Sequence, residues 1–105
     1  MKTAKLLKTV YDGPQQKVQL FELNVPLSVQ TPNDFTIKGE FNFVVVSAIS
    51  SELTKKISYF AEAETLIFPA NENGDVLQWD ALEGSQKGIQ NINKVLKDLD
   101  YTIID

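Results

Sequence analysis

Apolar residues and strong β-formers are concentrated in two stretches near the start of the chain, residues 5–11 and 17–25. Runs of this composition are typical of strands. Between the stretches stand Asp12, Gly13 and Pro14, residue types that are favoured in tight turns. The pattern therefore predicts a β-hairpin over this part of the chain.

A loop is predicted over residues 26–34, where two prolines break the next stretch, and a long strand is predicted after it, in which apolar and polar residues alternate. The apolar residues expected on one face of this strand are Phe35, Ile37, Phe41, Phe43, Val45 and Ile49. Val44, Val46 and Ala48 make the second face apolar as well. We therefore expect the second half of the strand to be central and buried on both sides, with Gly39 at a bulge or bend.

The middle of the chain has a less regular pattern. Residues 50–56 are compatible with a short helix capped by Ser51, with a loop or with a strand. Residues 57–68 are rich in β-formers and predict a strand. A polar turn over residues 71–74 separates this strand from residues 75–79, so that the two are predicted to form another hairpin.

A helical repeat follows near the end of the chain. Asn91 is a favourable N-cap residue, and the apolar residues after it, at intervals of three and four, are Ile92, Val95, Leu96 and Leu99. Residues 101–104 predict a short terminal strand. Together these elements predict an α+β fold, with a mainly antiparallel sheet of about five or six strands and one C-terminal helix packed on it.

Length and composition are typical of one globular domain. The 105 residues are 43% apolar and 23% charged, which indicates a single domain over residues 1–105. No apolar run approaches the ~20 residues of a membrane span, and the start of the chain lacks the apolar stretch of a signal peptide. We therefore expect a soluble, intracellular protein.

Three residue types that carry much enzyme chemistry are missing, because the chain has no cysteine, no histidine and no arginine. It therefore lacks a thiolate nucleophile, an imidazole base and the usual ligands of zinc. Without guanidinium groups it also lacks bidentate recognition of phosphate or guanine. We expect no catalytic residue, no metal and no cofactor, and hence a protein that is not an enzyme.

Two patterns offer alternatives to this expectation. Glu62 and Glu64 would share a strand face. Asp80 and Glu83 lie close in sequence, so paired carboxylates for acid–base catalysis are an alternative. Residues 69–80 superficially match a calcium loop, but the register puts a proline at the first ligand position, where a side-chain oxygen is needed. A polar hairpin turn is the simpler interpretation of this segment.

Negative charge is concentrated in the middle of the chain. The net charge is −4, but residues 39–86 alone contain two lysines and eight acids. Such a patch repels nucleic acid and favours a basic protein partner. The acids predicted to contact a partner are Glu62, Glu64, Glu72, Asp75, Asp80 and Glu83. The alternative is that these carboxylates only keep a small domain soluble.

Aromatic side chains are expected in the core, because a small domain needs their bulk to close its sheet against one short helix. This expectation covers the six phenylalanines and Trp79, which is the single tryptophan. A binding role for Trp79 is the alternative interpretation.

The segments FVVVSA at residues 43–48 and ETLIFPA at residues 64–70 are followed by Gly74, Val76, Trp79, Gly84, Ser85 and Gly88. Over about the last sixty residues this pattern resembles small uncharacterised proteins of bacteriophages and mobile elements. Those proteins often carry an Asp-His pair where this chain has Asn91 and Ile92. Asparagine retains the capping role of the aspartate, but any chemistry of the histidine is not carried over.

The resemblance implies a small accessory protein, and many such proteins bind a host factor. In size and charge the chain is also similar to several anti-CRISPR proteins, which bind an RNA-guided nuclease. The expected function is therefore inhibition of a host defence protein, in the host cytoplasm, through a protein interface and without direct contact to nucleic acid or membrane. The alternative is a phage structural or assembly protein that forms a homo-oligomer through an exposed sheet edge.

Overall fold

Strands dominate the computed structural model, which describes residues 1–29, 39–55 and 62–104. Within these residues the chain forms six strands and two short helices. The strands are β1 (Lys2–Asp12), β2 (Gln16–Ser28), β3 (Glu40–Ile49), β4 (Glu64–Pro69), β5 (Gln86–Lys87) and β6 (Tyr101–Ile104), and the helices are α1 (Ser51–Lys55) and α2 (Ile92–Asp98). The predicted α+β class, with most of the structure in the sheet, is confirmed.

All six strands belong to one sheet, in the order β5-β4-β3-β2-β1-β6. Neighbours from β5 to β1 are antiparallel, but β6 lies parallel to β1, with Tyr101 opposite Lys2. The sheet is therefore mixed, with one parallel pair. The helix α2 comes before the predicted terminal strand, which is confirmed as β6, so the helix is not the last element of the described chain. The chain leaves β5 at one edge of the sheet, continues through α2 and enters β6 at the other edge. A long connection of this kind, unlike a tight turn, allows β6 to run parallel to its neighbour β1.

The predicted N-terminal hairpin is confirmed, since β1 and β2 pair as antiparallel neighbours. The loop predicted from Pro26 is wrong at its start, because β2 continues to Ser28. The register between β2 and β3 shifts between Glu22 and Leu27, and a proline is tolerated at such an irregularity, where the ladder is interrupted. Residues 30–34 of the predicted loop lie outside the described residues.

The central strand is β3, and its residues 44–48 are all buried, as predicted for a strand covered on both faces. Phe35 and Ile37 lie outside the described residues. Phe41 packs against the main core, whereas Val45 belongs to a separate cluster, so the single face predicted for them is wrong. The register shift in β2 lies opposite this part of β3, and such an irregularity bends the sheet and increases its twist, which changes where nearby side chains pack.

The main core lies on the face of the sheet that α2 covers. Its buried side chains are Ala4, Phe21, Leu23, Leu27, Val44, Val46, Ala48, Ile67, Leu82, Ile92, Val95, Leu96 and Tyr101. The helix α2 begins as predicted, because Oδ1 of Asn91 accepts a hydrogen bond of 3.0 Å from the backbone N–H of Lys94. Three of the four apolar residues in its predicted repeat are buried, and Leu99 becomes the C-cap.

The chain after β4 runs back along the outer edge of that strand without forming the predicted second strand. The N–H of Leu77 donates to the carbonyl of Pro69 at 2.8 Å. The N–H of Leu82 donates to the carbonyl of Ile67 at 2.7 Å, and β5 then pairs with the first two residues of β4. The residues between Leu77 and Leu82 protrude from this edge. The hairpin predicted for residues 75–79 is therefore wrong. The edge of β4 is occupied instead by the two isolated backbone hydrogen bonds from Leu77 and Leu82 and by β5.

Residues 50–56, which the sequence left open, contain the short helix α1. The hydroxyl of Ser50, not that of Ser51, accepts a hydrogen bond of 3.2 Å from the N–H of Leu53. The strand predicted from residue 57 begins at Glu64, as β4, in the described part of the chain. Residues 56–61 lie outside that part.

Candidate functional site

The face of the sheet opposite α2 has a second, smaller cluster of buried side chains. Leu20, Val45 and Ala70 form it, and Val18 and Val76 pack against it while partly buried. A bridge between Ala70 and Val76 holds the turn after β4 over this cluster. The turn covers only one end of this face. The apolar residues beyond the turn therefore remain accessible.

Beside the turn lies an apolar groove with a volume of about 380 Å³. The apolar part of its lining includes Val18, Val45, Ile49, Leu66, Phe68 and Val76. The strand register brings these residues together, since Leu66 lies opposite Ser47 and Ser47 lies opposite Val18. Side chains directly opposite on adjacent strands share a face, so the groove lies across the middle strands of the sheet.

Trp79 stands at the border of this groove, on the protruding residues after β4, and 76% of its surface is exposed. Its ring packs edge-to-face against the ring of Phe68, with 5.2 Å between centroids and 71° between planes. Phe68 is buried, so the contact orients the tryptophan while leaving most of it free. The prediction that Trp79 belongs to the core is wrong, and its exposure favours the alternative, a binding role.

Two polar side chains interrupt the apolar lining of the groove. Ser47 is buried, and its Oγ accepts a long hydrogen bond of 3.5 Å from Nε2 of Gln16. Hydrogen bonds of this length are weak. The hydroxyl and the amide are therefore available to bond to a group that enters the groove, and they would orient it.

Glu64 on β4 is the acid that lines the groove, and it lies at one end of it. At this end Glu64 is opposite Ile49 on β3, which in turn is opposite Gln16 on β2. Lys87 on β5 lies opposite Glu64 in the register. Within the described part of the chain, the Glu64 carboxylate nevertheless forms no ion pair or hydrogen bond. A cation that enters this end of the groove would therefore find a carboxylate able to bind it.

Three more of the predicted acids are neighbours in sequence of residues that line the groove. Asp75 is exposed and directly follows Gly74, which is part of the lining, and Glu72 is exposed in the same turn. Asp80 is half-buried and directly follows the tryptophan. Lys8 comes close to the same turn, because its Cε would lie 3.3 Å from a Cβ placed on Gly74. Charge at this end of the groove is therefore mixed, as it is at the other end, where Lys87 lies opposite Glu64.

The remaining two predicted acids lie elsewhere. Glu62 precedes β4, so it does not share a strand with Glu64 as predicted, and its carboxylate lies near Gly88. Glu83 lies close enough to Tyr101 to help raise the pKa of the tyrosine hydroxyl. Of the six predicted acids, Glu64 lines the groove, and the three between residues 72 and 80 lie within two residues of lining residues in the sequence.

The turn over residues 71–75 is held by its own side chains. Oδ1 of Asn71 accepts hydrogen bonds from the N–H groups of Asn73 and Asp75, at 2.9 and 3.0 Å. The amide of Asn71 donates to the Asp75 carboxylate at 3.1 Å. The predicted polar turn is confirmed. No group of three or more acidic side chains among the described residues is placed to hold a metal ion.

Two groups with perturbed pKa values lie on α2 and β6, away from the groove. Hydrogen bonds from Gln86 at 3.0 Å and from Lys94 at 2.7 Å lower the pKa of the Asp98 carboxyl. Burial raises the pKa of the Tyr101 hydroxyl, which donates a hydrogen bond to the carbonyl of Val25. These groups act on the stability of the fold and have no contact with the groove.

None of the protein-family models, curated proteins or solved structures compared with the chain matches it. Among the described residues, no helix is long and apolar enough to cross a membrane. The candidate function therefore depends on the geometry of the groove and on the sequence itself.

Proposed function

We propose that this protein is a non-catalytic accessory protein, of phage or mobile-element origin, that binds and inhibits a host defence protein such as an RNA-guided nuclease. The observation that supports this most is the position of Trp79. The single tryptophan of the chain is largely exposed and borders an apolar groove. Tryptophan is enriched among the few residues that supply most of the binding energy at protein interfaces.

Other exposed apolar side chains extend the surface around Trp79. Val10 lines the groove and is half exposed, and Leu77 is exposed on the same segment as the tryptophan. Single exposed apolar residues are normal on a soluble protein. A contiguous set of them around a concave surface is typical of an interaction site.

The acids beside the groove favour a basic partner. Glu64, Asp75 and Asp80 lie at or next to its lining. Charge complementarity across an interface raises the association rate and the specificity more than the affinity. A protein that holds nucleic acid presents a basic surface for it, so an acidic border is suited to a nuclease partner.

A cleavage assay with a panel of purified RNA-guided nucleases tests this function, alongside affinity capture of defence proteins from bacterial lysates. We expect one nuclease or captured defence protein to lose activity when the protein is added. Trp79→Ala should abolish the inhibition. Ile104→Ala, which removes an exposed apolar side chain at the β6 edge, is the matched control and should retain it. Full activity of every nuclease and captured defence protein in its presence would contradict the proposal.

A homo-oligomer formed through a sheet edge is the second candidate, because in the described residues no strand pairs with the outer edge of β1 beyond Lys5. Leu7, Val10 and Tyr11 are exposed along this stretch. Two register shifts interrupt it, however, and it carries Lys8, and both features hinder edge-to-edge pairing. Size-exclusion chromatography separates the candidates, since a stable multimer favours assembly and a monomer favours capture of a partner.

A further inference from the structure

We infer that the groove binds a partner segment in which an apolar side chain stands next to a lysine or arginine. This inference rests on the proposed function and specifies the chemistry of the partner. The groove combines an apolar lining with one carboxylate, Glu64, at one end. Each of these two features selects one part of the segment.

The size and lining of the groove select the apolar part. An apolar cavity of about 150 Å³ is enough to hold benzene. With a volume of about 380 Å³, the groove has room for roughly two side chains of that size. Val18, Val45 and Leu66 offer no hydrogen bond to an occupant, so a polar side chain placed on them would lose its bonds to water. Leucine, methionine or phenylalanine side chains suit this space.

The Glu64 carboxylate selects the basic neighbour. The Glu64 carboxylate forms no ion pair or hydrogen bond within the described residues, and it is half-buried at one end of the lining. Lys8 lies close to Gly74, which lines the groove next to the turn. Lys87 lies opposite Glu64 in the register but forms no ion pair with it. In the described part of the chain, Glu64 is the one acid in the lining. A cation beside Glu64 therefore gains a charge partner, with the apolar side chain next to it over Val45 and Leu66.

A second copy of this chain does not suit the groove. A two-fold interface presents the same surface from both subunits. Two concave surfaces facing each other would leave a void between them. They would also bring two copies of Glu64 to the same interface, where like charges repel. The occupant is therefore a protruding segment of a different protein.

Selection from a displayed library of short random peptides that lack tryptophan tests the inference. Trp79 is the only tryptophan, so its fluorescence reports directly on occupation of the groove. We expect the enriched peptides to carry an apolar residue adjacent to lysine or arginine. A synthetic copy of the most enriched peptide should shift the emission of Trp79 to shorter wavelength on binding.

Two substitutions that each remove one negative charge distinguish a specific role of Glu64 from a general electrostatic effect. Glu64→Gln should weaken binding of this peptide about fivefold, as a partly exposed charge pair contributes ~1 kcal/mol. Glu40→Gln, which changes an exposed acid at the start of β3 outside the groove lining, should leave the affinity unchanged. Circular dichroism confirms that both variants are folded.

Three results would overturn the inference: enriched peptides without basic residues, equal effects of the two substitutions, or no enriched peptide that changes the emission of Trp79. These outcomes are distinct from failure of the proposed function. If a defence protein is bound through Trp79 but its affinity is insensitive to Glu64→Gln, the proposed function stands and the basic segment is excluded. If peptides bind as expected but no defence protein is inhibited, the inhibitory function fails and the groove specificity stands.

Discussion

Gly84 occupies a position at which a side chain would meet the side chain of Leu99 and displace it. Its φ is +91°, and a Cβ placed there would lie 2.7 Å from Cδ2 and 2.8 Å from Cγ of Leu99. An unfavourable backbone conformation costs about 1–3 kcal/mol, and forcing an extra methyl group into a packed site costs a similar amount. We therefore expect Gly84→Ala to lower the free energy of unfolding by about 2–6 kcal/mol, a large fraction of the ~5–15 kcal/mol typical of a domain.

Gly88 provides a matched control for the backbone contribution. Its φ is +85°, but the nearest atom to a Cβ placed there is Oε2 of Glu62, at 3.6 Å, which is an ordinary contact. Gly88→Ala should therefore cost only the backbone part, about 1–3 kcal/mol. Urea denaturation followed by circular dichroism measures both variants, and their difference isolates the packing against Leu99.

A double-mutant cycle then tests the contact itself. Leu99→Ala removes the side chain that a Cβ at position 84 would meet, so Gly84→Ala should cost less in that background than in the original protein. The difference between the two backgrounds should be about 1–3 kcal/mol. If Gly84→Ala instead costs no more than Gly88→Ala, and the same in both backgrounds, the loop at Gly84 does not pack against the end of α2.

Leu96→Ala removes a fully buried side chain between α2 and the sheet and should cost ~2–5 kcal/mol, whereas Asn91→Ala removes the helix cap and should cost ~0.5–2 kcal/mol. Thermal denaturation that ranks these two variants in the opposite order would contradict the placement of α2. The pKa of the Asp98 carboxyl is lower in the folded state than in the unfolded state. The ionised carboxylate therefore stabilises the fold above the unfolded pKa, and this stabilisation is lost as the pH falls through the folded pKa. Asp98→Asn should flatten the acid side of the plot of unfolding free energy against pH. The pKa of the Tyr101 hydroxyl is higher in the folded state than in the unfolded state. The neutral hydroxyl therefore stabilises the fold below the unfolded pKa of ~10, and this stabilisation is lost as the pH rises from there through the folded pKa. Tyr101→Phe should remove that alkaline loss, at a cost of about 0.5–1.5 kcal/mol for the hydrogen bond to Val25, and an unchanged alkaline limb would contradict this assignment.

The sequence predicts well those elements that depend on interactions within a few residues. The N-terminal hairpin, the buried interior of β3 and the start of α2 at Asn91 are all confirmed. Capping needs only a side chain and a backbone N–H three residues later. Strand and helix periodicity likewise act locally, because they depend on how successive side chains alternate around one backbone.

The candidate site was predictable only in part. Glu64 was selected from the sequence as a partner-binding residue, and the structure places it in the lining of the groove, while its role stays a prediction. Trp79 was expected in the core, because large aromatic residues are usually buried. Nothing in the pattern of residues 75–79 distinguishes a strand of the sheet from a segment that protrudes beside it.

The sequence by itself determined the first hairpin, the buried interior of β3, the terminal strand β6, the cap and buried face of α2, and the absence of cysteine, histidine and arginine chemistry. Only the tertiary structure decided which strands are neighbours, so that β6 lies beside β1 and β5 occupies the edge of β4 in place of residues 75–79. Segments far apart in the chain compete for the same edge, and local propensity does not rank them. Because the residues after β4 form no continuous strand on that edge, Trp79 protrudes beside the groove instead of entering the core.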